Sequence, residues 1–447
     1  MQQMKNCQIK FGTLLLCWPL LFTAGRLCAQ DTTGTRSLTL ADAFEMALRN
    51  STQLKIAGKG SELARQQVEV AKSKRLPSLS SDLNYGYLSN SEIWNPSFSK
   101  HTTGKMPHHL TEFTVNATQL IFAGNAVKNE IRKSSLDEQI ALLSQDKNTQ
   151  DIKLLVAAKY LDIARLINLK KVYKSNEALA ENRLKNILAM QKQGMVTQND
   201  VLRTKLSISD LNLTIRQTDD NIRILNDEMN TVIGLPGASI LVPDSNFLAT
   251  YVQNKPLEMF REQAYQYNQD LKIAATESKV AEINVKLLNS ERSPVIVAFA
   301  ASNLQRPYVY SLPAIDVYYN VWQAGIGVKY NISSIYQTPK KVTAGKIALQ
   351  QSKEKETFQK QNMDVAVSSR FIKFKEAQED LRTYASDLRS AQENYRIVEK
   401  KYFNQLALLT DMIDAANIKL EAETKVTNAG VNIVFTYCQL LNSIGNL

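Results

Sequence analysis

From Asn125 to Lys192 the chain contains neither a proline nor a glycine. A helix that continuous, rising 1.5 Å per residue, is about 100 Å long, far beyond the diameter of an ordinary globular domain. Within the stretch Leu136, Ile140, Leu143, Leu154, Ala158 and Leu161 recur at spacings of three, four and seven, which is one helical face. The register breaks at Lys147 and Asp151, so a strict two-stranded zipper is not expected. Mixed seams of this kind suit helices packed side by side in a layer. A second such stretch runs from Pro339 to Tyr402, with Gly345 as its single glycine. The whole chain of 447 residues holds only 16 glycines and 11 prolines, roughly half their usual abundance. Few turn-formers means few turns.

The N-terminus belongs to a different stage of the protein's life. Lys5 and Lys10 precede the apolar segment Phe11 to Phe22, and small residues follow as far as Ala29. That order reads as a secretory signal peptide, residues 1–29, cut after Ala29. Cys28 raises lipidation as an alternative, but Gly25-Arg26-Leu27 is a poor match because a small residue should stand directly before the cysteine. Cleavage removes Cys7, Cys17 and Cys28, and the remaining Cys438 can close no intramolecular disulfide. Beyond the leader no apolar run reaches 18 residues, which excludes a membrane-spanning helix. The charge of +11 comes from 54 Lys and Arg against 43 Asp and Glu. Spread thinly along helices, it describes solvated faces, and nucleic acid is not expected as a partner.

The remainder repeats. Leu54-Lys55-Ile56-Ala57 recurs as Leu271-Lys272-Ile273-Ala274, and Pro77 recurs as Pro294. Asp200-Val201-Leu202 recurs as Asp411-Met412-Ile413, and Ile233-Gly234 as Ile444-Gly445. Two copies of roughly 200 residues are expected, 30–234 and 257–447, joined by a linker at 235–256 that holds Pro236, Gly237, Pro243 and Pro256. Each copy reads helix, strand, strand, long helix, helix. In the first, a helix capped by Thr39 should run to about Lys74 and stop at Pro77. Period two then takes over. Leu83, Tyr85 and Tyr87 alternate with Asp82, Asn84 and Gly86, and Phe113, Val115 and Ala117 with Thr114, Asn116 and Thr118. In the second copy Val295, Val297 and Phe299 share a face, and Trp322, Ala324, Ile326 and Val328 alternate with Gln323, Gly325, Gly327 and Lys329. A half-exposed soluble sheet and a membrane barrel share this dyad.

Chemistry-bearing constellations are scarce. His101, His108 and His109 are placed in one polar loop, where adjacent histidines do not readily face one metal. No glycine-rich phosphate loop or paired nucleophile and base emerges. Cys438 sits on an apolar helical stretch with Leu440 and Leu441 and reads as core. No enzymatic activity and no cofactor are expected.

Two segments after the long helices are the most specific signals. The first is Lys192-Gln193-Gly194-Met195-Val196-Thr197-Gln198-Asn199-Asp200-Val201-Leu202, and the second Tyr402-Phe403-Asn404-Gln405-Leu406-Ala407-Leu408-Leu409-Thr410-Asp411-Met412-Ile413-Asp414-Ala415. Gly194 can take the left-handed conformation that ends a helix. Thr197 with Asp200 makes an acidic capping box for the next helix. Together with the duplicated order of elements, these turns resemble those of the TolC family of outer-membrane factors, across essentially the whole mature chain.

The resemblance implies a mainly α protein with a small membrane β-barrel part, in the bacterial outer membrane. A homotrimer would pool four strands per chain in a twelve-stranded barrel, since an open edge does not survive in lipid. The long hairpins would form a periplasmic α-barrel tunnel. Its partners would be a periplasmic adaptor and an inner-membrane pump, in tripartite efflux or type I secretion. Gly194, Met195, Val196, Thr197, Asp200, Leu406, Ala407 and Leu408 would form the adaptor-docking tips. Tyr402, Asp411 and Asp414 would lie at the periplasmic gate. In the barrel, Leu83, Tyr85, Val115, Val297, Ile326 and Val328 should meet lipid, and Asn84, Asn116, Gln323 and Lys329 the lumen. Gln405 replaces the family's usual glycine, so Asn404 is expected to be the left-handed residue, and Leu406 or Ala407 replaces an arginine that helps lock some relatives. The competing reading is an exported coiled-coil structural or adhesion protein without a pore.

Overall fold

The computed structural model describes residues 35–235, 239–244, 253, 255–311 and 313–447. The expected signal peptide lies outside them. The elements are β1 (Thr35–Leu38), α1 (Leu40–Asn50), α2 (Thr52–Ser73), β2 (Ser78–Tyr87), β3 (Ser91–Trp94), β4 (His101–Gly104), β5 (His109–Phe122), α3 (Ala126–Lys192), α4 (Gln198–Ile233) and β6 (Ile240–Pro243). There follow α5 (Leu257–Tyr267), α6 (Gln269–Ser290), β7 (Val295–Arg306), β8 (Tyr319–Lys329), α7 (Ser334–Phe403) and α8 (Leu409–Ile444). Helix lengths pair off across the chain. They are 11 and 11 residues for α1 and α5, 22 and 22 for α2 and α6, 67 and 70 for α3 and α7, and 36 and 36 for α4 and α8.

The helix expected from Thr39 to Lys74 is two helices. Thr39 does cap the first, with Asp42 N–H donating to Thr39 Oγ1 at 3.1 Å and Thr39 N–H to the Asp42 carboxylate at 3.2 Å. The chain then leaves helical geometry at Ser51, whose hydroxyl accepts from Leu54 N–H and caps the next helix. Asn268 does the same between α5 and α6. At both joints an asparagine amide ties the break to a distant helix end: Asn50 donates to the Ile233 carbonyl at 2.7 Å, and Asn268 to that of Ser443 at 2.9 Å. The long helix α7 begins at Ser334 rather than at Pro339. Pro339 therefore lies in its second turn, where it forfeits one backbone hydrogen bond and its ring crowds the carbonyl four residues back. The linker is not plain coil, since β6 pairs in parallel with β1.

The helices form two stacked layers that share α3 and α7. Near the sheet the neighbours run α2, α3, α6, α7; toward the hairpin tips they run α4, α3, α8, α7. Where the layers meet, a waist core gathers Leu40, Ala43, Val156, Leu161, Ala164, Met229, Ile233 and Val434 around β1 and β6. Tyr160 fastens it, donating its hydroxyl to the Leu38 carbonyl at 2.9 Å while accepting from Asp244 N–H. A second core centres on Phe260, Phe374, Val367 and Leu440. Cys438 is fully buried in the first, as expected, and burial pushes its thiol up to about 12.

A four-stranded antiparallel sheet, ordered β2-β5-β7-β8, stands at the far end. Leu83 pairs with Phe113, Ser81 with Val115, Val115 with Ser302, and Ala298 with Ile326. Leu83, Tyr85, Val115, Ile326 and Val328 therefore share one face, and Asn84, Asn116, Gln323 and Lys329 the other. Val297 does not join the first group. It pairs with Leu120 and Gly327 and lies on the face of Asn116 and Gln323. Strand β7 is apolar on both faces here, so alternation alone does not tell which apolar set shares a face with Ile326 and Val328. The glycines of β8 explain why the second set fits: a Cβ at Gly325 would lie 3.1 Å from the Phe299 ring, which occupies that space. The histidines also move from their expected loop. His101 lies in β4, 4.7 Å from the Trp94 ring, His109 opens β5, and only His108 remains between strands, stacked on Tyr87.

Candidate functional site: the hairpin tips

Both tips are built by the same backbone device. After α3, Gly194 takes φ +73° and Met195 N–H reaches back to the Met190 carbonyl at 3.0 Å. After α7, Leu406 N–H reaches back to that of Lys401 at 2.8 Å. The left-handed residue there is Gln405, at φ +62°, and not Asn404, which stays at φ −95°. Turn geometry fixes the position, whatever residue occupies it, and a side chain there costs about 1 kcal/mol. Asn404 instead bonds its amide to the Lys400 carbonyl at 2.9 Å.

The helices that follow are capped unequally. Thr197 and Asp200 form a full box, with Asp200 N–H donating to Thr197 Oγ1 at 3.3 Å and Thr197 N–H to the Asp200 carboxylate at 2.9 Å. In the second copy Leu408 has no acceptor, so half the box remains: Leu408 N–H donates to the Asp411 carboxylate at 3.0 Å. Capping thus accounts for Asp411. Asp414, one turn on, is exposed and caps nothing.

Tyr402 points elsewhere. It is 5% exposed and packs with Ile187, Val201, Leu409 and Met412, joining the two hairpins from within. Its hydroxyl is buried without a hydrogen-bond partner, and burial, followed by the Asp200 charge, raises its pKa above the usual phenol value. Tyr402 is thus buried, while Asp411 and Asp414 are exposed. Val196 and Ala407 pack partly into the same cluster, whereas Met195, Leu406 and Leu408 are 51%, 75% and 69% exposed. Removing an unpaired buried hydroxyl is nearly neutral or favourable. Tyr402→Phe should leave the stability of the purified protein unchanged or raise it by about 1 kcal/mol, read from its thermal unfolding. A clear loss would mean that the hydroxyl finds its acceptor in a neighbouring copy.

Sequence reading missed a polar cluster above the tips. Arg183 on α3 donates through Nη2 to the Tyr395 hydroxyl at 3.1 Å, and Tyr395 donates to Glu399 at 2.6 Å. Lys419 on α8 lies 5.3 Å above the same ring and 3.3 Å from Glu423, which accepts from Asn176 at 2.6 Å. Burial, followed by the bond to Glu399, raises the Tyr395 pKa. No motif marks these residues, because each looks like one more solvated position on a long amphipathic helix.

This architecture has known counterparts. Residues 43–233 match the sequence profile described as outer membrane efflux protein. Those 191 residues resemble that family. It is 21% identical over 444 residues to outer membrane efflux protein BepC of Brucella suis biovar 1 (strain 1330), covering 98% of this chain and 92% of the relative. Among solved structures it resembles CusC, with a TM-score of 0.77 at 13% identity over 91% of this chain and 92% of the other. It also resembles VceC of Vibrio cholerae, with a TM-score of 0.74 at 13% identity over 91% and 96%. The profile match and the relative both point to the outer membrane, and these structures share the mainly helical fold with a small sheet expected from the sequence.

Proposed function

We propose that the chain is one subunit of a trimeric outer-membrane duct that conducts solutes from a periplasmic adaptor and inner-membrane pump to the exterior and catalyses nothing. The observation that carries this reading is that every layer ends in two open edges. The sheet ends at β2 and β8, the upper helical layer at α2 and α7, and the lower at α4 and α7. Those edges are apolar where a monomer should be polar. Ile56, Leu63 and Val70 on α2 form an exposed heptad stripe, as do Phe358, Val365 and Ile372 on α7. Two different edges that both need covering make a head-to-tail contact, and repeated rotation closes it into a ring. Closure also pairs β8 of one copy with β2 of the next, removing the strand edges that lipid forbids. A coiled-coil adhesion protein gives no reason for a four-stranded sheet with two bare edges.

In such a ring the tips converge. Asp411 and Asp414 from each copy would crowd carboxylates around one passage and draw cations into it. The test is planar-bilayer conductance of the purified chain, paired with its migration before and after heating. Conductance from a heat-modifiable trimer is expected, with block by trivalent cations added at the tip side. Asp414→Asn should weaken that block without loss of stability, since its carboxylate caps nothing. Asp411→Asn should weaken it and also lose about 1 kcal/mol for the cap. Undiminished block in the double variant would remove both aspartates from the gate. A non-conducting monomer would overturn the duct itself.

A further inference from the structure

Above the tips a cleft of about 420 Å³ runs between α3, α4 and α8, lined by Asn176, Arg183, Arg203, Asp210, Ile413 and Leu420 among others. It therefore spans both hairpins of one protomer. Its volume is that of a small-molecule site, and its walls carry about as many polar as apolar side chains.

The unusual group is Arg183. The residue is only 6% exposed, and its guanidinium makes one hydrogen bond, to the neutral Tyr395 hydroxyl. Its Nε is buried with no acceptor. No carboxylate among the described residues pairs with it: Glu399 takes the Tyr395 proton, and Glu423 is engaged by Lys419 and Asn176. Burying a cation without a counter-charge is costly. Arg203, exposed on α4, lines the same cleft, and among the described residues neither it nor the one acid of the cleft, Asp210, forms an ion pair.

We propose that this cleft binds an amphipathic organic anion, its carboxylate or sulfonate meeting Arg183 and Arg203 and its apolar body lying against Leu206, Leu211, Ile413 and Leu420. The ligand supplies the counter-charge that the protein omits. Because its walls come from α3 and α4 on one side and α8 on the other, occupancy ties the first hairpin to the second.

The probe is 4-(trifluoromethyl)benzoate, followed by its fluorine NMR linewidth and shift against the full-length protein assembled in detergent. The uncharged 4-(trifluoromethyl)benzamide serves as a shape control for micelle partitioning. Saturable binding of the benzoate is expected, at least about tenfold tighter than the amide, because charge-assisted hydrogen bonds are the strong ones. Arg183→Gln should weaken it about tenfold. Should that variant fail to assemble, Arg203→Gln, on an exposed residue, should weaken it severalfold in a normally assembled protein. Equal binding of benzoate and amide, no saturable benzoate binding, or benzoate affinity unchanged in an assembled arginine variant would each overturn the site.

Discussion

Ile326→Arg is expected to abolish assembly, while Gln323→Arg, three residues earlier on the same strand, leaves it intact. The two side chains lie on opposite faces of β8, where Ile326 pairs with Ala298 and Gln323 with Ala301. A cation on the outward face of a barrel costs about 2–4 kcal/mol at the bilayer midplane, and a ring repeats that cost in every copy. A lumen-facing arginine meets water. Val297→Arg should behave as Gln323→Arg does, because the register puts Val297 on that face. The readout is the yield of heat-modifiable trimer in the outer-membrane fraction. Equal yields from Ile326→Arg and Gln323→Arg would rule out a lipid-facing sheet.

Met195→Asp combined with Leu406→Asp should abolish efflux and leave the trimer intact. Both residues sit on the outermost turns, and both are more than half exposed although apolar. Exposed apolar clusters mark contact surfaces. Two carboxylates in a dry contact with an adaptor hairpin would be desolvated without partners. Val196 and Ala407 are the wrong targets, since they pack partly under the tip and their loss would report on folding. Normal trimer with lost crosslinking to the adaptor is the expected pair of results. Retained crosslinking would move the docking surface away from the tips.

The elements legible in the sequence were those fixed by local rules. The absence of proline and glycine over Asn125 to Lys192 gave α3 to within a residue, and Thr197 with Asp200 gave the start of α4. What stayed hidden depended on contacts distant in the chain. The break at Ser51 lies between two strong helical patterns and is held by a bond from Asn50 to Ile233. The face of Val297 was decided by glycines on the neighbouring strand, which make room for the Phe299 ring. Gln405 took the left-handed position because the turn needs its bend there, and residue preference was overridden. At the tips, sequence spacing identified the cap of α4 but could not show that Tyr402 turns inward. Arg183 was invisible as a buried charge, because burial on a helix shared by two layers leaves no periodic trace.

Because α3 and α7 pass unbroken through both layers, the waist core acts as a fulcrum. Below Ala164, the last residue of α3 in that core, the helix continues to Lys192, a lever arm of about 40 Å. A tilt of about 5° at the waist carries the end of such an arm about 3–4 Å, with no helix unwound and no turn rebuilt. In the proposed ring, aperture at the tips would follow small angles at this pivot, and stiffness along the rods would matter more than softness at their ends.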